Sequence, residues 1–396
     1  MSTRSLRITL CAALVATTLA ACGGGTADGG GDQGSGGGTI KLGAFSPLSG
    51  PAVSSSSGVK ATEAAIRKLN DAGGINGHKL EFIVKDDQYD PAKTPGVTRE
   101  LVESDNVAMM CGPQGSVPFG AVKDYLAARK VPSIVNAGAP TLAGEYSYLV
   151  SSPFDGLGGL LADYAMDELG TKNIAIAYSE DILGTSALEG AKKALSEVGA
   201  QPAGEVKFDV SATDFSAQAI QLKGTNADFV IMPGAQANVA GQLINAAEKI
   251  GYQPKWGLSY ASQNQTLLDL TGGALDGRAF FATPYISPES AVGQDYVATL
   301  NKYFPEVETS SGATIAGYTI GEVCLTVLQA AVDEAGGDVP SSEDIQKVMN
   351  NMSIDNDYIK GINWTTDGHE GARSAQILAL VDGKFETDQD YSPLPE

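Results

Sequence analysis

Histidine is nearly absent from this chain: its 396 residues include two, with two tryptophans and four cysteines. Such a set leaves little with which to build a metal centre, and no CxxC, HExxH or calcium-loop pattern occurs. His78 in GGINGHKL and His369 in TTDGHEG fall in turn contexts and read as solvated loop positions, not as bases. A nucleophilic serine is no better supported, because neither SSSSG nor GPQGSVPFG contains the G-x-S-x-G elbow. Gly156, Gly158 and Gly159 have part of a dinucleotide fingerprint, but SSPFD before them is not a strand entering a tight turn. Asp86, Asp87 and Asp90 read as a solvated loop cluster, more readily than as a paired acid and base. Positive charge is also scarce: 26 Lys and Arg against 47 Asp and Glu leave a net charge of −21, which disfavours nucleic acid as a partner. The expectation is a chain that is not an enzyme and carries neither cofactor nor metal.

What is present begins with a processing signal. Arg4 and Arg7 precede an apolar run over residues 8–21, too short to span a bilayer and suited to a secretory signal at 1–21. The run ends Leu19-Ala20-Ala21-Cys22, which resembles the lipobox of bacterial lipoproteins and makes Cys22 the expected lipid attachment site. Residues 23–38 then hold ten glycines and no large apolar side chain, so 22–38 reads as a flexible cord. Loss of the signal takes the formal charge from −21 to −23. No later segment reads as apolar enough to span a bilayer. Of the two remaining cysteines, Cys111 in VAMMCG and Cys324 in GEVCLTVL could bridge or could stand as buried thiols.

The body, 358 residues from 39 to 396, is long enough for about two domains. Its hydrophobic period alternates between strand and helix. Strands are predicted at 40–45, 80–86, 107–111 and 133–135, with helices at 59–70, 97–103 and 119–128. A second run predicts strands at 174–178, 205–208, 229–232 and 255–259, with helices at 158–169, 185–198, 215–223 and 239–250. Such βαβ repetition implies an α/β protein of two doubly wound lobes with parallel sheets. Ligands of such sheets sit outside the carboxyl ends of the strands, so two facing lobes would share one cleft. Ser116 is predicted to cap the helix after the third strand, and the small residues Asn136 to Pro140 would let a ligand lie against bare backbone.

The motifs IKLGAFSPLSGP, GGINGHKLEFIVKDDQYDP, VPSIVNAGAP, ADFVIMPGAQANVAGQLINAAEKIGY and INWTTDG resemble, in order and spacing, the leucine/isoleucine/valine-binding proteins of ABC transporters. The resemblance implies the type I periplasmic-binding-protein fold, with lobes at 39–152 plus 284–375 and at 153–283 plus 376–396. Three crossovers would fall near 151–153, 283–284 and 374–376. It further implies an exported, monomeric, lipid-anchored solute receptor on the outer face of the cell membrane, partnered by permease and ATPase subunits. The alternative is a receptor of the same fold that signals to a membrane partner.

Carried over residue by residue, the resemblance puts the carboxylate-binding serine on Ser116, beside Gln114, and the backbone contact for an amino group on Ala137. Elsewhere the chain departs from the pattern. A threonine becomes Ala139, an early aromatic becomes a serine near Ser55, and the second-lobe aromatics become Leu183 and Ala235. The acid that pairs with a ligand ammonium becomes Tyr260, with Glu180 or Asp181 as substitutes for its charge. The family disulfide is unmatched, its cysteines falling on Tyr89 and Gly115. The implied solute is a branched-chain amino acid or an amine-free organic or aromatic acid, the latter slightly favoured because an unpaired buried ammonium is costly.

Overall fold

The computed structural model describes residues 37–50, 53–365 and 368–395. The expected signal segment, Cys22 and most of the glycine cord lie outside them. The first sheet is made from β1 (Thr39–Ser46), β2 (Lys79–Asp86), β3 (Met109–Gln114), β4 (Ser133–Asn136) and β5 (Ser147–Leu149). Between them run α1 (Ser57–Asp71), α2 (Thr94–Arg99), α3 (Ser116–Gly120) and α4 (Lys123–Ala128). From Leu42 to Ser46 β1 is buried without a break, as a central strand covered on both faces must be. All neighbours are parallel, in the order β2-β1-β3-β4-β5.

A second sheet follows, from β6 (Ile174–Ser179), β7 (Gly204–Phe208), β8 (Phe229–Ile231), β9 (Lys255–Ser259) and β10 (Ala279–Thr283). Its helices are α5 (Phe154–Asp167), α6 (Ile182–Glu197), α7 (Ser216–Gly224), α8 (Ala237–Lys249) and α9 (Gln265–Thr271). The parallel part runs β10-β9-β8-β6-β7, so in chain order both sheets are wound 2-1-3-4-5. The winding reverses between β1 and β3 in the first sheet and between β6 and β8 in the second. Those are the switch points at which such sheets bind ligands.

After β10 the chain returns to the first sheet as α10 (Ala291–Tyr303), α11 (Gly312–Glu334), α12 (Ser342–Met349) and the short strands β11 (Met352–Ile354) and β12 (Ile362–Trp364). Residues of α1, α10, α11 and α12 bury one face of the first sheet in a core with Trp364, Tyr285, Tyr296 and Tyr318; Phe45, Met110, Phe119 and Val135 fill the other face. The second sheet has its own two cores, one on each face, around Trp256 and around Leu161. It ends with β13 (Ser374–Val381) and β14 (Lys384–Pro393), which add antiparallel to β10. The periodicity did not announce this hairpin, although its turn is Asp382-Gly383, both at positive φ as a type I′ turn requires.

Three further expectations need correction. The helix predicted over 119–128 is broken, because Gly120 ends α3 and Val122 leaves the helical region to be buried beside Phe119. The helix predicted over 97–103 starts earlier, at Thr94, and widens into a π turn over Glu100–Ser104. The helix Gly312–Glu334 is long and apolar enough to cross a membrane, contrary to the sequence reading. It is instead a core helix: most of its length is buried, and Cys324 within it is bonded to Cys111 of β3.

Candidate ligand-binding cleft

The switch point of the first sheet lies between the ends of β1 and β3. Here Asp86, at the end of β2, accepts from the Leu48 and Ser49 amides (3.0 and 3.3 Å), from Ser49 Oγ (2.5 Å) and from the Gln88 amide (3.0 Å). These donors hold its carboxyl below the usual range and pin the loop that leaves β1. Asp87 is fully buried, accepts from the Tyr89 amide and Thr94 Oγ1 (both 3.0 Å), and has its pKa raised by burial. The acidic trio is therefore a loop brace, with Asp87 inside the protein and not solvated. Tyr89, at φ +59, lays its ring on Gly115, where an added Cβ would lie 2.8 Å from Cζ and 2.9 Å from Oη. The two positions that the resemblance assigns to a disulfide thus touch, as a ring on a glycine.

Ser116 is the first residue of α3 and half-buried; Gly115 is the cap, so the expected capping role shifts by one residue and the Ser116 hydroxyl makes no cap hydrogen bond. Gln114 reaches the start of α1, its Oε1 3.1 Å from where a Cβ on Gly58 would stand. Ser55 lies half-buried in the single turn before α1. At the end of β4, Ala137 and Ala139 are buried. Gly138 does not offer bare backbone to solvent: the ring of Phe154, from the start of α5, covers it, and an added Cβ would meet that ring at 2.8 Å. Phe154 also faces Tyr260, centroids 6.0 Å apart.

Tyr260 follows β9 directly and stands where the two halves meet. Its half-buried ring packs against a core of each sheet and makes an edge contact with Tyr285, at 5.0 Å and 80°. Its carbonyl abuts Gly312 at the start of α11, a position closed to any side chain. Burial pushes the Tyr260 phenol up to about 12, with Ser151 opposing, so it is neutral at physiological pH. Ser151 is the hub of the connections: it donates to Asn136 Oδ1 (2.8 Å) and can accept from Tyr285 Oη (2.6 Å). Gln376 Nε2 in turn donates to the Tyr285 carbonyl (2.6 Å), so all three passages between the sheets are tied together. Phe154, Ser151 and Tyr285 escaped the sequence reading as site residues; a proline beside two of the passages, in SSPF and TPY, was their only sign.

On the second sheet, Asp181 caps α6, accepting from the Leu183 and Gly184 amides at 3.0 and 2.9 Å. Glu180 pairs with Lys207 at 2.9 Å. Asp181 is committed to its cap, and Glu180 is exposed in a surface ion pair. Leu183 is half-buried beside a core of the second sheet. Ala235 is fully buried in the other core and its carbonyl accepts from Ser262 Oγ (2.6 Å), so its side chain is not at the cleft surface.

Neither histidine is solvated, contrary to expectation. His78 is buried with Nε2 2.8 Å from the Gly337 carbonyl. His369 stacks on Tyr148 (4.0 Å), has Nδ1 2.5 Å from the Gly144 carbonyl, and is held below its usual pKa by burial. Among the described residues, no three His, Cys, Asp or Glu side chains converge as a metal site. Two surface hollows, of about 490 and 530 Å³, lie elsewhere: one beside the β13–β14 turn, the other at the amino ends of β1 and β3, opposite the switch point.

Residues 39–384 match the profile of the family described as periplasmic binding protein. The Leu/Ile/Val-binding protein BraC3 of Rhizobium johnstonii is 26% identical over 86% of this chain and 90% of its own length. A branched-chain amino-acid ABC transporter protein of Thermus thermophilus, solved with bound valine, superposes with a TM-score of 0.78 at 18% identity, over 90% of this chain and 97% of that one. A fatty acid ABC transporter substrate-binding protein of Thermomonospora curvata gives a TM-score of 0.76 at 22% identity, over 90% and 92%.

Proposed function

The chain belongs to the periplasmic binding protein family, and from that premise we propose that it captures a small carboxylate without an amino group for an ABC importer. Within this family it is a solute-binding protein of the branched-chain amino-acid transporter type. In the proposed reading, lobes at 39–152 plus 284–375 and at 153–283 plus 376–396 close on the solute. A lipid on Cys22 holds the monomeric receptor at the outer face of the membrane, beside its permease and ATPase, and Cys22→Ser abolishes labelled-palmitate incorporation.

The observation that carries the choice of solute is the state of the acids. A buried ammonium needs a carboxylate partner. The resemblance-matched position is Tyr260, a neutral phenol, while Glu180 is in an ion pair and Asp181 is a helix cap. Ser116 remains to bind the carboxylate and Tyr260 to meet a hydroxyl, carbonyl or apolar group. The structural likeness to a fatty acid ABC transporter substrate-binding protein supports an acid without an amine.

The test is calorimetry with isocaproate, which is leucine's skeleton without its amine, and with leucine. Wild type binds isocaproate in preference to leucine. Ser116→Ala weakens the acid about tenfold to a hundredfold, the effect of one lost buried hydrogen bond. Tyr260→Glu abolishes it, because the new carboxylate faces that of the solute. Tighter leucine binding by wild type, improved further by Tyr260→Glu, would refute the amine-free reading.

A further inference from the structure

The ring of Tyr89 occupies an unusual place for a loop residue. It leaves the end of β2 yet rests on Gly115 at the end of β3, and β1 lies between those strands. Two strand spacings are about 10 Å, so the loop after β2 and the Tyr89 side chain together reach past the carboxyl end of β1 to the β1/β3 switch point. The pose is enforced from several sides. The Tyr89 amide is held by Asp87, whose carboxylate is anchored on Thr94, and Gly115 combines a φ of +97° with no side chain to obstruct the ring. So much local machinery places a residue that is still 38% exposed.

Apolar side chains follow the strand ends of both sheets. Leu48 (42%) and Val53 (46%), between β1 and α1, and Val117 (61%), in α3 after β3, are among the exposed large hydrophobic residues of the described chain. The second sheet offers exposed Ile182 and half-buried Leu183 after β6, and Tyr260 after β9, with the Tyr260 ring stiffened from behind by Phe154 and Tyr285. The nearby carboxylates of Asp86, Asp87, Glu180 and Asp181 are spent on the chain's own donors. The crevice therefore combines neutral hydroxyl and amide groups with aromatic and aliphatic surface. A flat, polarisable body gains most there, because a ring against a ring adds attraction beyond the area it buries.

We propose that Tyr89 is a specificity-determining residue of the cleft and that the solute is a ring-bearing, amine-free carboxylate whose ring packs on it. The inference rests on the carboxylate reading above and narrows it. Tyr89 does for the ligand what a disulfide at the same two positions could not: it presents a face.

The experiment is calorimetry of the full-length protein with benzoate, phenylacetate, cyclohexanecarboxylate, isocaproate and leucine, for wild type and Tyr89→Leu. At least one of the two aromatic acids binds wild type about tenfold or more tighter than isocaproate, and tighter than cyclohexanecarboxylate, which has similar bulk but no π face. Tyr89→Leu keeps apolar volume and removes the ring; it weakens the aromatic acid about threefold to tenfold and leaves isocaproate within twofold, the range of one aromatic pair. A melting curve of the ligand-free variant that overlays wild type shows that folding is intact. If isocaproate equals or exceeds both aromatic acids, if neither aromatic acid binds, or if Tyr89→Leu keeps the ring preference, the inference is overturned while the carboxylate reading can stand. Binding of leucine alone overturns both.

Discussion

The two sheets are wound alike and secured differently. Each places its first strand second from the edge of a 2-1-3-4-5 order, and each ends that strand in a buried serine, Ser46 or Ser179, whose hydroxyl has no partner among the described residues. Around the first sheet gather the disulfide and both histidines. The second holds itself by a capped helix, a terminal hairpin and close backbone packing, with Gly234 against Leu183 and Gly184 across its switch point. That backbone contact fills the second crevice with chain, whereas Tyr89 faces the first with a ring. A shared winding sets where the strand ends lie, and the side chains decide what each sheet presents there.

The largest test of this asymmetry is the disulfide. Replacing both cysteines by alanine removes a link across 213 positions of sequence, and a destabilisation of roughly 2–5 kcal/mol is expected. The loss should fall on the first sheet. Trp364, whose Nε1 donates to the Leu149 carbonyl at 3.0 Å, reports on it, and Trp256 reports on the second. In urea titrations of the two single-tryptophan variants, the Trp364 midpoint falls and the Trp256 midpoint moves little. Equal shifts of both signals would show one cooperative unit and dissolve the comparison.

A smaller effect on the other side comes from Asp181→Ala. It removes the acceptor of two amide donors at the start of α6 and should cost about 1 kcal/mol, read through Trp256. A larger response from Trp364 would contradict the assignment. The smallest effect is a pH slope. Burial lowers the pKa of His369, so its neutral form is favoured in the folded state; the donating Nδ1–H meets Gly144, and protonation would place a proton on buried Nε2, which has no partner among the described residues. The unfolded chain therefore takes up the proton first. The stability contribution is complete above the unfolded value of about 6.5 and is lost as pH falls toward the lower folded value. His369→Phe, which keeps a ring on Tyr148, should flatten the Trp364 midpoint between about pH 7 and pH 5; an unchanged slope would assign the acid sensitivity elsewhere.

The parallel sheets were legible because buried strands and one-sided helices leave a local imprint. The strand Lys255–Ser259 has the predicted bounds, and β1 differs by one residue at each end. What escaped was tertiary. Glycine-flanked His78 and His369 have the local chemistry of loops, and only the packing of distant segments buries them. Pairing of Cys111 with Cys324 depends on α11 lying over β3, which neither cysteine's neighbours reveal. The hairpin was legible in Asp382-Gly383 and went unread. At the cleft, the sequence indicated the strand ends that carry Ser116 and Tyr260. That Phe154 would cover Gly138 and Tyr89 would reach past β1 could be seen only once the strand order was known.

The chain's late return to its first sheet sets an order of assembly. Every strand of the first sheet has left the ribosome by Leu149, yet α11, with Cys324, and α12 lie beyond Thr283, after the whole parallel part of the second sheet. The first sheet must wait for the helices that complete the cover of one apolar face, and the second waits longer still for its closing hairpin, β13 and β14. Export before completion, followed by oxidation outside the cell, would spare that waiting face and let Cys111 meet Cys324 only when the covering helices arrive.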